Sequence, residues 1–493
     1  MRCLLINPEF PDTFWSFRHA LTFTRRQAAL PPLGLLTMAA ILPGDWPKRM
    51  VDLNVRRLEE ADLAWAEMVF IGGMSVQRAS AEEAIRRCQV AGLPVVAGGP
   101  LFTVEPELFP QVDHLVLGEA ELALPLFLAD LAAGRPARLY HPEGHADLSR
   151  SPMPLWEMAG LQHYMTAALQ YSRGCPFDCD FCNVTALLGR RPRQKSSEQV
   201  VRELNDLWDR GWRKGVFFVD DNFIGDRRRL ATDLLPALID WRKGRRGMPF
   251  NTQVSINLSD EAELMAMMVR AGFDTVFIGI ETPEEASLAE CRKRQNLGRD
   301  LVADTRRIQR AGLQVQGGFI VGFDHDTPRV FQRQIDLIQQ SGIVTAMVGL
   351  LQAPPGTRLF QRLREAGRIT AQEWGDNADG LTNIIPSMNL DSLREGYRAL
   401  MGHLYSPSAY YARIRTFLRE YRPAGVRAPL DRDRLAALLR SMWRLGVLGR
   451  ERFQYWRLLQ WTLLHRPRAL QMAVTLAIYG HHFRKVCELH LRP

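Results

Sequence analysis

Three of the seven cysteines of this chain lie within eight residues of one another, in the stretch YSRGCPFDCDFCN at residues 171–183. Cys175, Cys179 and Cys182 form a C-x-x-x-C-x-x-C motif directly after a predicted strand. A zinc site normally joins such a pair to a second, distant pair of ligands, and the other four cysteines are scattered singly. Three thiolates without a fourth fit an iron–sulfur cluster that leaves one iron open to an outside ligand. A zinc loop or a chance cluster of cysteines stays open at this point.

The elements that must position this loop begin with residues 1–135, where short apolar strands alternate with amphipathic helices. This alternation predicts an α/β fold with a parallel, doubly wound (Rossmann-like) sheet. Glycines follow several of its strands, and ligands of such sheets bind at the C-terminal strand ends. A glycine there lets a bulky ligand approach the backbone. Residues 136–165 are rich in proline and glycine without periodicity, which predicts a linker.

Residues 166–365 repeat the strand–helix unit six times, which predicts a partial (β/α)6 or full TIM barrel with its site at the C-terminal strand ends. The three-cysteine loop follows the first of these strands. Residues 366–493 lose the strand pattern and carry Leu, Trp, Tyr and Arg at helical spacing, so we expect a mostly α-helical C-terminal domain.

Polar residues stand at the ends of the next barrel strands. The second strand ends in FFVDDNF, although two adjacent acids are also common as helix caps. The third strand places two polar side chains on one face, the fourth ends in IGIET, and the fifth carries a G-x-I-x-G pattern. The candidates are Asp220, Asp221, Asn222, Gln253, Ser255, Glu281, Ile320 and Gly322.

Together with the cysteine loop, these residues in register resemble the radical S-adenosylmethionine (SAM) superfamily. The resemblance implies that the three cysteines bind a 4Fe–4S cluster whose open iron chelates SAM. It implies that Phe181 and the G-x-I-x-G strand lie near the adenine, and that the acidic motif of the second strand faces the SAM amino group. The commoner Gly-Gly-Glu of the family is absent there, which leaves open which acid makes that contact. Glu281 would face the ribose hydroxyls or the sulfonium.

A doubly wound domain ahead of such a barrel resembles the cobalamin-binding class of this superfamily. Classical cobalamin domains use D-x-H-x-x-G, whereas this chain reads Asp52-Leu53-Asn54 and offers no histidine ligand. That departure fits the members that hold cobalamin without one. The alternatives are a domain that binds nothing or a plain nucleotide site, and the absence of G-x-G-x-x-G argues against NAD. The resemblance implies a cobalamin site at Asp52, Asn54, Ser75, Gly98, Gly99 and Glu119.

Over nearly the whole chain, phrases such as GWRKGVFFVDDNFIGDRRR and LYSPSAYYARI resemble the DUF4070 subgroup, near which the hopanoid C-methyltransferases lie. The resemblance implies a cobalamin-dependent radical SAM C-methyltransferase that methylates an unactivated carbon of an apolar isoprenoid or polycyclic lipid. Two alternatives stay open: a radical enzyme that forms a ring or C–C bond without methyl transfer, and a non-catalytic cobalamin or redox sensor. The sequence identifies no residue for the catalytic step itself.

The remaining expectations concern partners and location. The 493-residue chain has a formal net charge of +9, with Arg residues spread along it. No signal peptide or bilayer-length apolar run is present, so we expect a cytoplasmic protein, with contact at the inner membrane surface as an option. A ferredoxin- or flavodoxin-type donor would supply electrons, and nucleic acid is disfavoured. The C-terminal aromatics fit either a core stripe or a surface for lipid: Trp443, Phe453, Tyr455, Trp456 and Trp461.

Overall fold

The protein is described by a computed structural model that covers residues 1–371, 375–376, 379–423 and 432–490. Its N-terminal part is a six-stranded parallel sheet in the order β2-β1-β3-β4-β5-β6. The strands are β1 (Cys3–Asn7), β2 (Lys48–Asp52), β3 (Met68–Gly72), β4 (Val95–Gly98), β5 (His114–Val116) and β6 (Leu139–Tyr140). The first six helices are α1 (Arg18–Thr24), α2 (Leu33–Ile41), α3 (Glu60–Trp65), α4 (Arg78–Val90), α5 (Pro100–Val104) and α6 (Ala120–Ala132).

This arrangement confirms the predicted doubly wound sheet. Strand β1 is buried along its whole length, and its alternate side chains enter separate apolar cores on the two faces of the sheet, Leu4 and Ile6 on one side and Leu5 on the other. The structure also corrects the predicted boundary, because β6 lies inside the segment expected to be a linker. A two-residue strand beside a proline-rich stretch is too short to give a periodic signal.

A second six-stranded parallel sheet forms the centre of the molecule, in the order β14-β13-β12-β11-β10-β7. Its strands are β7 (Ala167–Leu169), β10 (Val216–Phe218), β11 (Phe250–Val254), β12 (Phe273–Glu281), β13 (Gln314–Val321) and β14 (Ala346–Leu350). Between the first two, β8 (Ser172–Arg173) and β9 (Arg193–Gln194) form a small antiparallel ribbon. Among the described strands, β7 and β14 do not pair with each other. The sheet is therefore the partial (β/α)6 barrel, and the full barrel is excluded.

Helices separate these strands and cover the outside of the barrel. They are α7 (Val184–Leu188), α8 (Ser197–Asp209), α9 (Arg227–Arg229), α10 (Leu235–Arg242), α11 (Ala262–Ala271), α12 (Glu285–Glu290), α13 (Leu301–Ala311), α14 (Val330–Ser341) and α15 (Arg358–Glu365). On β12, half-buried side chains alternate with buried ones, which marks Phe277 and Gly279 as facing the interior of the open barrel.

The C-terminal part is helical, as predicted. It consists of α16 (Leu390–Leu404), α17 (Pro407–Glu420), α18 (Arg432–Trp443), α19 (Arg452–His465) and α20 (Leu470–His490), and a π-helical segment (Arg444–Leu448) extends α18. These helices share one continuous apolar core with the barrel, and the Tyr397 hydroxyl donates to the carbonyl of Val348 on β14 at 2.9 Å. In the part of the chain described, no helix has the length and apolar character to cross a bilayer.

Candidate functional site

The cysteine loop leaves the ribbon strand β8 at the C-terminal end of β7. Gly174 has a φ of +91°, and a Cβ there would lie 3.0 Å from the backbone oxygens of Leu188, Gly189 and Arg191. Only glycine tolerates both that conformation and that approach. Cys179 is buried, whereas Cys175 and Cys182 are half-buried. The sharp turn at the start of the loop thus holds three free thiols over the open end of the barrel.

Two acids of the second barrel strand fix the base of this loop. The Asp220 carboxylate accepts hydrogen bonds from the backbone of Tyr171 at 3.1 Å and from the hydroxyl and backbone of Ser172. Burial raises the pKa of Asp220 to about 7. Asp221 accepts from the Gly174 N–H at 3.3 Å. Asp220 therefore holds the chain that enters the loop, a structural role that the sequence did not predict, and its contact with SAM stays a prediction.

Asn222, the third residue of this motif, turns toward the third strand. Its Nδ2 donates to Ser255 Oγ at 3.3 Å, and Ser255 donates to Asn257 at 2.6 Å. Its Oδ1 is buried and has no hydrogen-bond partner among the described residues. Gln253 lies on the same face of β11, half-buried. Because buried polar atoms are nearly always paired, the unpartnered oxygen indicates room for a ligand donor, and the structure brings Asn222 and Ser255 into contact.

The fourth strand brings a buried ion pair to the cysteines. Glu281 ends β12 with a φ of +65°, and Lys293 Nζ donates to its carboxylate at 2.6 Å. Burial acts to lower the pKa of Lys293, but the charge and hydrogen bond of Glu281 together with the charges of Cys179 and Cys182 outweigh it, and the pKa is raised. Gln295 Nε2 contacts Cys179 Sγ at 3.7 Å. Sequence reasoning missed Lys293 and Gln295, because the loop after α12 carries no motif that separates them from ordinary surface residues.

The predicted adenine side of the site is apolar. Phe181 meets Phe323 edge to face at 6.3 Å between ring centroids, and Lys293 Nζ lies 5.9 Å from the Phe181 ring. Phe181 and Ile320 pack against the same small core. Gly322 has a φ of +105° and donates its N–H to Asp326 at 2.8 Å. The predicted wall residues are therefore neighbours, joined across the cysteine loop and the fifth strand.

The donor set fits an iron–sulfur cluster. The loop offers three free thiols, and burial raises the pKa of the Cys182 thiol to about 12 while the charge of Lys293 acts against that rise. In the described ranges, no three His, Cys, Asp or Glu side chains converge on a single-ion site. A cluster does not require such convergence, since each thiolate binds its own iron.

Two residues predicted to bind cobalamin serve the N-terminal sheet instead. Asp52 accepts from Asn7 at 3.0 Å and from the hydroxyl of Tyr164 at 2.7 Å. Asn54 donates to Asp52 at 2.7 Å and accepts from the N–H of Phe10 at 2.8 Å. These hydrogen bonds fasten the segment after β1 to the loop after β2. The structure thus corrects the prediction for Asp52 and Asn54, whose side chains are committed to protein partners.

The glycines of the predicted slot at Gly98, Gly99 and Ser75 have a structural explanation. A Cβ on Gly98 would lie 2.6 Å from the carbonyl oxygen of Val116 on β5. One on Gly99, whose φ is +90°, would lie 3.1 Å from the Gly73 oxygen. A Cβ on Gly375 would lie 2.5 Å from the backbone nitrogen of Val76 and 3.1 Å from Ser75. The close approach of neighbouring backbone requires glycine at these positions. A sequence pattern alone cannot tell this requirement from contact with a ligand.

Glu119 lies at the meeting of the two sheets. It is buried and accepts hydrogen bonds from Arg173 at 2.7 Å and from Arg193 at 2.9 Å, both on the β8–β9 ribbon. Arg173 also binds Glu121 at 2.8 Å. A cavity of about 340 Å³ opens beside this network, within the size range of small-molecule sites. It is lined in part by Thr103, Gly118, Glu119, His141, His145 and Leu187.

Two family models match the chain. The radical SAM superfamily matches residues 169–338, from the end of β7 into α14, and the domain of unknown function DUF4070 matches residues 357–492. The open barrel and its three-cysteine loop thus define a member of the radical SAM superfamily.

Full-length relatives narrow the group. An uncharacterized methyltransferase of Synechocystis sp. is 39% identical, with 99% of this chain and 92% of the relative covered. The hopanoid C-2 methylase of Rhodopseudomonas palustris is 33% identical, with 98% of this chain and 92% of that protein covered. The chain belongs to this family of radical SAM enzymes with a DUF4070 domain, and it is a radical SAM methyltransferase. The resemblance seen in the sequence is confirmed.

Solved structures share the fold along the whole chain. The cobalamin-dependent SAM radical enzyme OxsB, with aqua-cobalamin and SAM bound, gives a TM-score of 0.64 at 13% identity, covering 100% of this chain and 80% of OxsB. The radical SAM methyltransferase TsrM from Kitasatospora setae, with cobalamin and a 4Fe–4S cluster bound, gives 0.60 at 16% identity, covering 99% and 100%. At these identities the likeness establishes the three-part architecture.

Proposed function

We propose that this protein is a cobalamin-dependent radical SAM C-methyltransferase that methylates an unactivated carbon of an apolar isoprenoid or polycyclic lipid. The observation that carries the proposal is the three-cysteine loop held over an open barrel, beside a doubly wound sheet to which Arg173 joins it. When bound, the cluster and SAM supply the radical chemistry and cobalamin carries the methyl group, with a second SAM as its source. The lipid substrate is extended from the Rhodopseudomonas relative.

The chain's own residues divide the work of holding these groups. Cys175, Cys179 and Cys182 would bind the cluster, and Lys293 and Gln295 would lie against the ligating sulfurs. Asn222 would receive a donor from SAM at its unpartnered oxygen, while Phe181 would exclude water from the adenine side. The remaining SAM contacts that we propose are Asp221, Gln253, Ser255, Glu281, Ile320 and Gly322.

We place cobalamin at the C-terminal edge of the N-terminal sheet, where the cavity beside Glu119 faces the cysteine loop. Ligands of doubly wound sheets bind at that edge. Gly118 leaves its side of the cavity open, since a Cβ there would meet only the His141 ring at 3.8 Å. A corrin needs more room than about 340 Å³. Its binding therefore requires this cavity to widen.

The deciding experiment uses anaerobically purified protein with its cluster reconstituted and cobalamin added. With SAM, a reduced flavodoxin or ferredoxin and a hopanoid acceptor, we expect 5′-deoxyadenosine, S-adenosylhomocysteine and a lipid heavier by one CH₂ in mass spectrometry. Lipid profiles of cells with and without the protein give the second readout.

Two variants make the test specific. Cys179→Ala removes a proposed cluster ligand and abolishes 5′-deoxyadenosine formation, whereas Cys487→Ala, a half-buried thiol on α20, leaves it intact. If Cys179→Ala forms 5′-deoxyadenosine as fast as the parent protein, the proposal fails. Formation of 5′-deoxyadenosine without S-adenosylhomocysteine would favour the ring-forming alternative.

A further inference from the structure

The junction of helices α18 and α19 exposes an unusual run of large apolar side chains. Trp443 is 59% exposed, Leu448 64% and Phe453 75%. Since the π-helical segment continues α18, positions four apart along it lie on one side. We call the following set the apolar ridge: Leu435, Leu439, Trp443, Val447, Leu448, Phe453 and Trp456.

The apolar ridge is a second apolar face of these helices, separate from the face that packs into the protein core. The opposite side of the same helices packs inward, with Leu445, Tyr455 and Leu458 fully buried. The sequence expectation of a core stripe thus holds for Tyr455 and is wrong for Trp443 and Phe453. Large apolar patches on a protein surface mark contact with a partner or a membrane.

Positive charge surrounds the ridge. Residues 432–468 hold nine arginines and two acids, a formal charge of 9 − 2 = +7 within a chain of net charge +9. Both acids are paired within the protein, Asp433 with Arg26 and Glu451 with Arg484. Arg450, Arg452 and Arg457 are exposed between and beside the apolar side chains.

A cationic cavity of about 560 Å³ opens at the end of the ridge, next to Leu448. Four cationic side chains line it against two carboxylates, those of Glu451 and Glu488. Arg484 Nη1 is buried without a hydrogen-bond partner among the described residues. An anionic group such as a phosphate headgroup fits this lining, whose cations are Arg444, Arg450, Arg484 and Lys485.

The ridge is joined to the barrel interior through the N-terminal segment. Arg440 donates to the carbonyl of Phe23, and Arg444 donates to Thr22 at 2.7 Å, both on α1. A few residues earlier, Trp15 contacts Phe277 on the inner face of β12 at 5.1 Å between ring centroids. Trp15 itself is 51% exposed. A short stretch of chain thus lies between the exposed ridge and the space enclosed by the strands.

We propose that the apolar ridge docks the protein on an anionic membrane leaflet, with lipid headgroups in the cationic cavity. Exposed tryptophans flanked by arginines suit the membrane interface, and anionic lipids attract basic segments. A second copy of the chain is a poorer partner, because docking would bring two +7 faces together. Resting on the proposed function, the same surface gives an apolar substrate a route toward Trp15 and the barrel.

Cosedimentation of the reconstituted full-length protein with vesicles tests the docking without catalysis. We expect binding to vesicles of phosphatidylglycerol and phosphatidylcholine, and little to phosphatidylcholine alone. The double variant Leu448→Glu with Phe453→Glu lowers the affinity for anionic vesicles at least tenfold. Each change removes an apolar side chain that would be buried in the bilayer when the protein docks. Arg450→Gln and Arg457→Gln lower it about fivefold each. The matched controls Val90→Glu on α4, where Val90 is 80% exposed, and Arg329→Gln bind as the parent does.

Parallel assays in detergent separate this inference from the proposed function. The ridge variants should form 5′-deoxyadenosine at the parent rate, which also shows that they are folded. Unchanged vesicle binding in the ridge variants overturns the docking proposal, even if the protein methylates lipid. A dimer in sedimentation velocity that the glutamate variants dissociate, without vesicle binding, would assign the ridge to self-association. Vesicle binding without any methyl transfer would leave the docking intact and refute the function.

Discussion

The two six-stranded parallel sheets of this molecule use polar residues at their C-terminal strand ends in opposite ways. In the N-terminal sheet, Asp52 and Asn54 are saturated by protein hydrogen bonds. At the open end of the barrel, Asn222 Oδ1 and Gln295 Oε1 are buried without partners among the described residues. Because an unpaired buried polar atom is costly, these two oxygens support the proposal that a ligand completes the structure at this end of the barrel.

The difference teaches that position at a strand end does not by itself make a residue a ligand. Both sheets satisfy the topological rule that places sites at that edge. The two sheets differ in whether the polar side chains at these ends already have hydrogen-bond partners within the protein, which only the folded structure shows. The same difference separates neighbours in one motif. Both carboxylate oxygens of Asp220 accept hydrogen bonds, whereas Asn222 Oδ1 has no partner among the described residues.

Breaking the Glu281–Lys293 pair should have the largest effect. Lys293→Met leaves Glu281 buried and uncompensated, and losing one partner of a buried pair costs about 3–5 kcal/mol. We expect that loss in urea unfolding of the cluster-free protein, together with poor cluster assembly measured by iron content. The double variant Glu281→Gln with Lys293→Met should recover most of the stability. If both variants unfold at the same urea concentration, the two charges are not coupled.

Breaking the ion pairs that link the two sheets should have the next largest effect on stability. Arg173→Met removes the partner of Glu121 and one of the two arginines on Glu119, with an expected loss of about 3 kcal/mol, the lower range for a broken buried pair. Arg210→Met, at an exposed pair with Glu157, serves as control and should cost below about 1 kcal/mol. Equal losses in the two variants would contradict a structural role for the network.

The same arginine sets a pH dependence. Burial acts to raise the pKa of Glu121, but the hydrogen bonds and charge of Arg173 lower it to about 2. The unfolded value is about 4.3, so the ionised carboxylate stabilises the fold above that pH. The contribution falls as the pH drops from about 4.3 toward 2. Urea unfolding of the cluster-free protein should show this slope, and Arg173→Met should reduce it.

The sequence predicted the fold of both parallel sheets, whereas the roles of individual strand-end residues were harder to predict, for a physical reason. The thiols of Cys175, Cys179 and Cys182 have few structural uses on one loop, so their spacing favoured a cluster, and the strand-end residues in register after them narrowed the choice further. Glycine and aspartate at strand ends have many uses. Gly98 is required by the carbonyl of Val116, a contact between strands that the local sequence does not encode. The partner Lys293 was missed because its link to Glu281 depends on how a loop folds back.

Gly98 allows a direct test of that explanation. Gly98→Ala would place a Cβ 2.6 Å from the Val116 oxygen, and overpacking of this kind costs about 1–3 kcal/mol. Gly34→Ala on α2 meets nothing within 4 Å and should be neutral or stabilising by up to about 1 kcal/mol. We expect 5′-deoxyadenosine formation to survive in both variants. An unchanged melting temperature in Gly98→Ala would contradict this structural explanation and would again favour contact with a ligand as the reason for this glycine.

The sharpest contrast between the two sheets should come from one asparagine in each, Asn54 and Asn222. Asn54→Ala removes hydrogen bonds to Asp52, Pro8 and Phe10, each worth about 1 kcal/mol, and should leave the KM for SAM unchanged. Asn222→Ala loses one long hydrogen bond, at 3.3 Å, so its stability should fall by less than about 1 kcal/mol. Its KM for SAM should rise about tenfold, because a hydrogen bond completed only by the ligand is lost. The test is to measure the melting temperature and the KM for SAM of both variants. If the two substitutions change both quantities equally, the presence or absence of hydrogen-bond partners does not distinguish a ligand-binding strand end from a structural one.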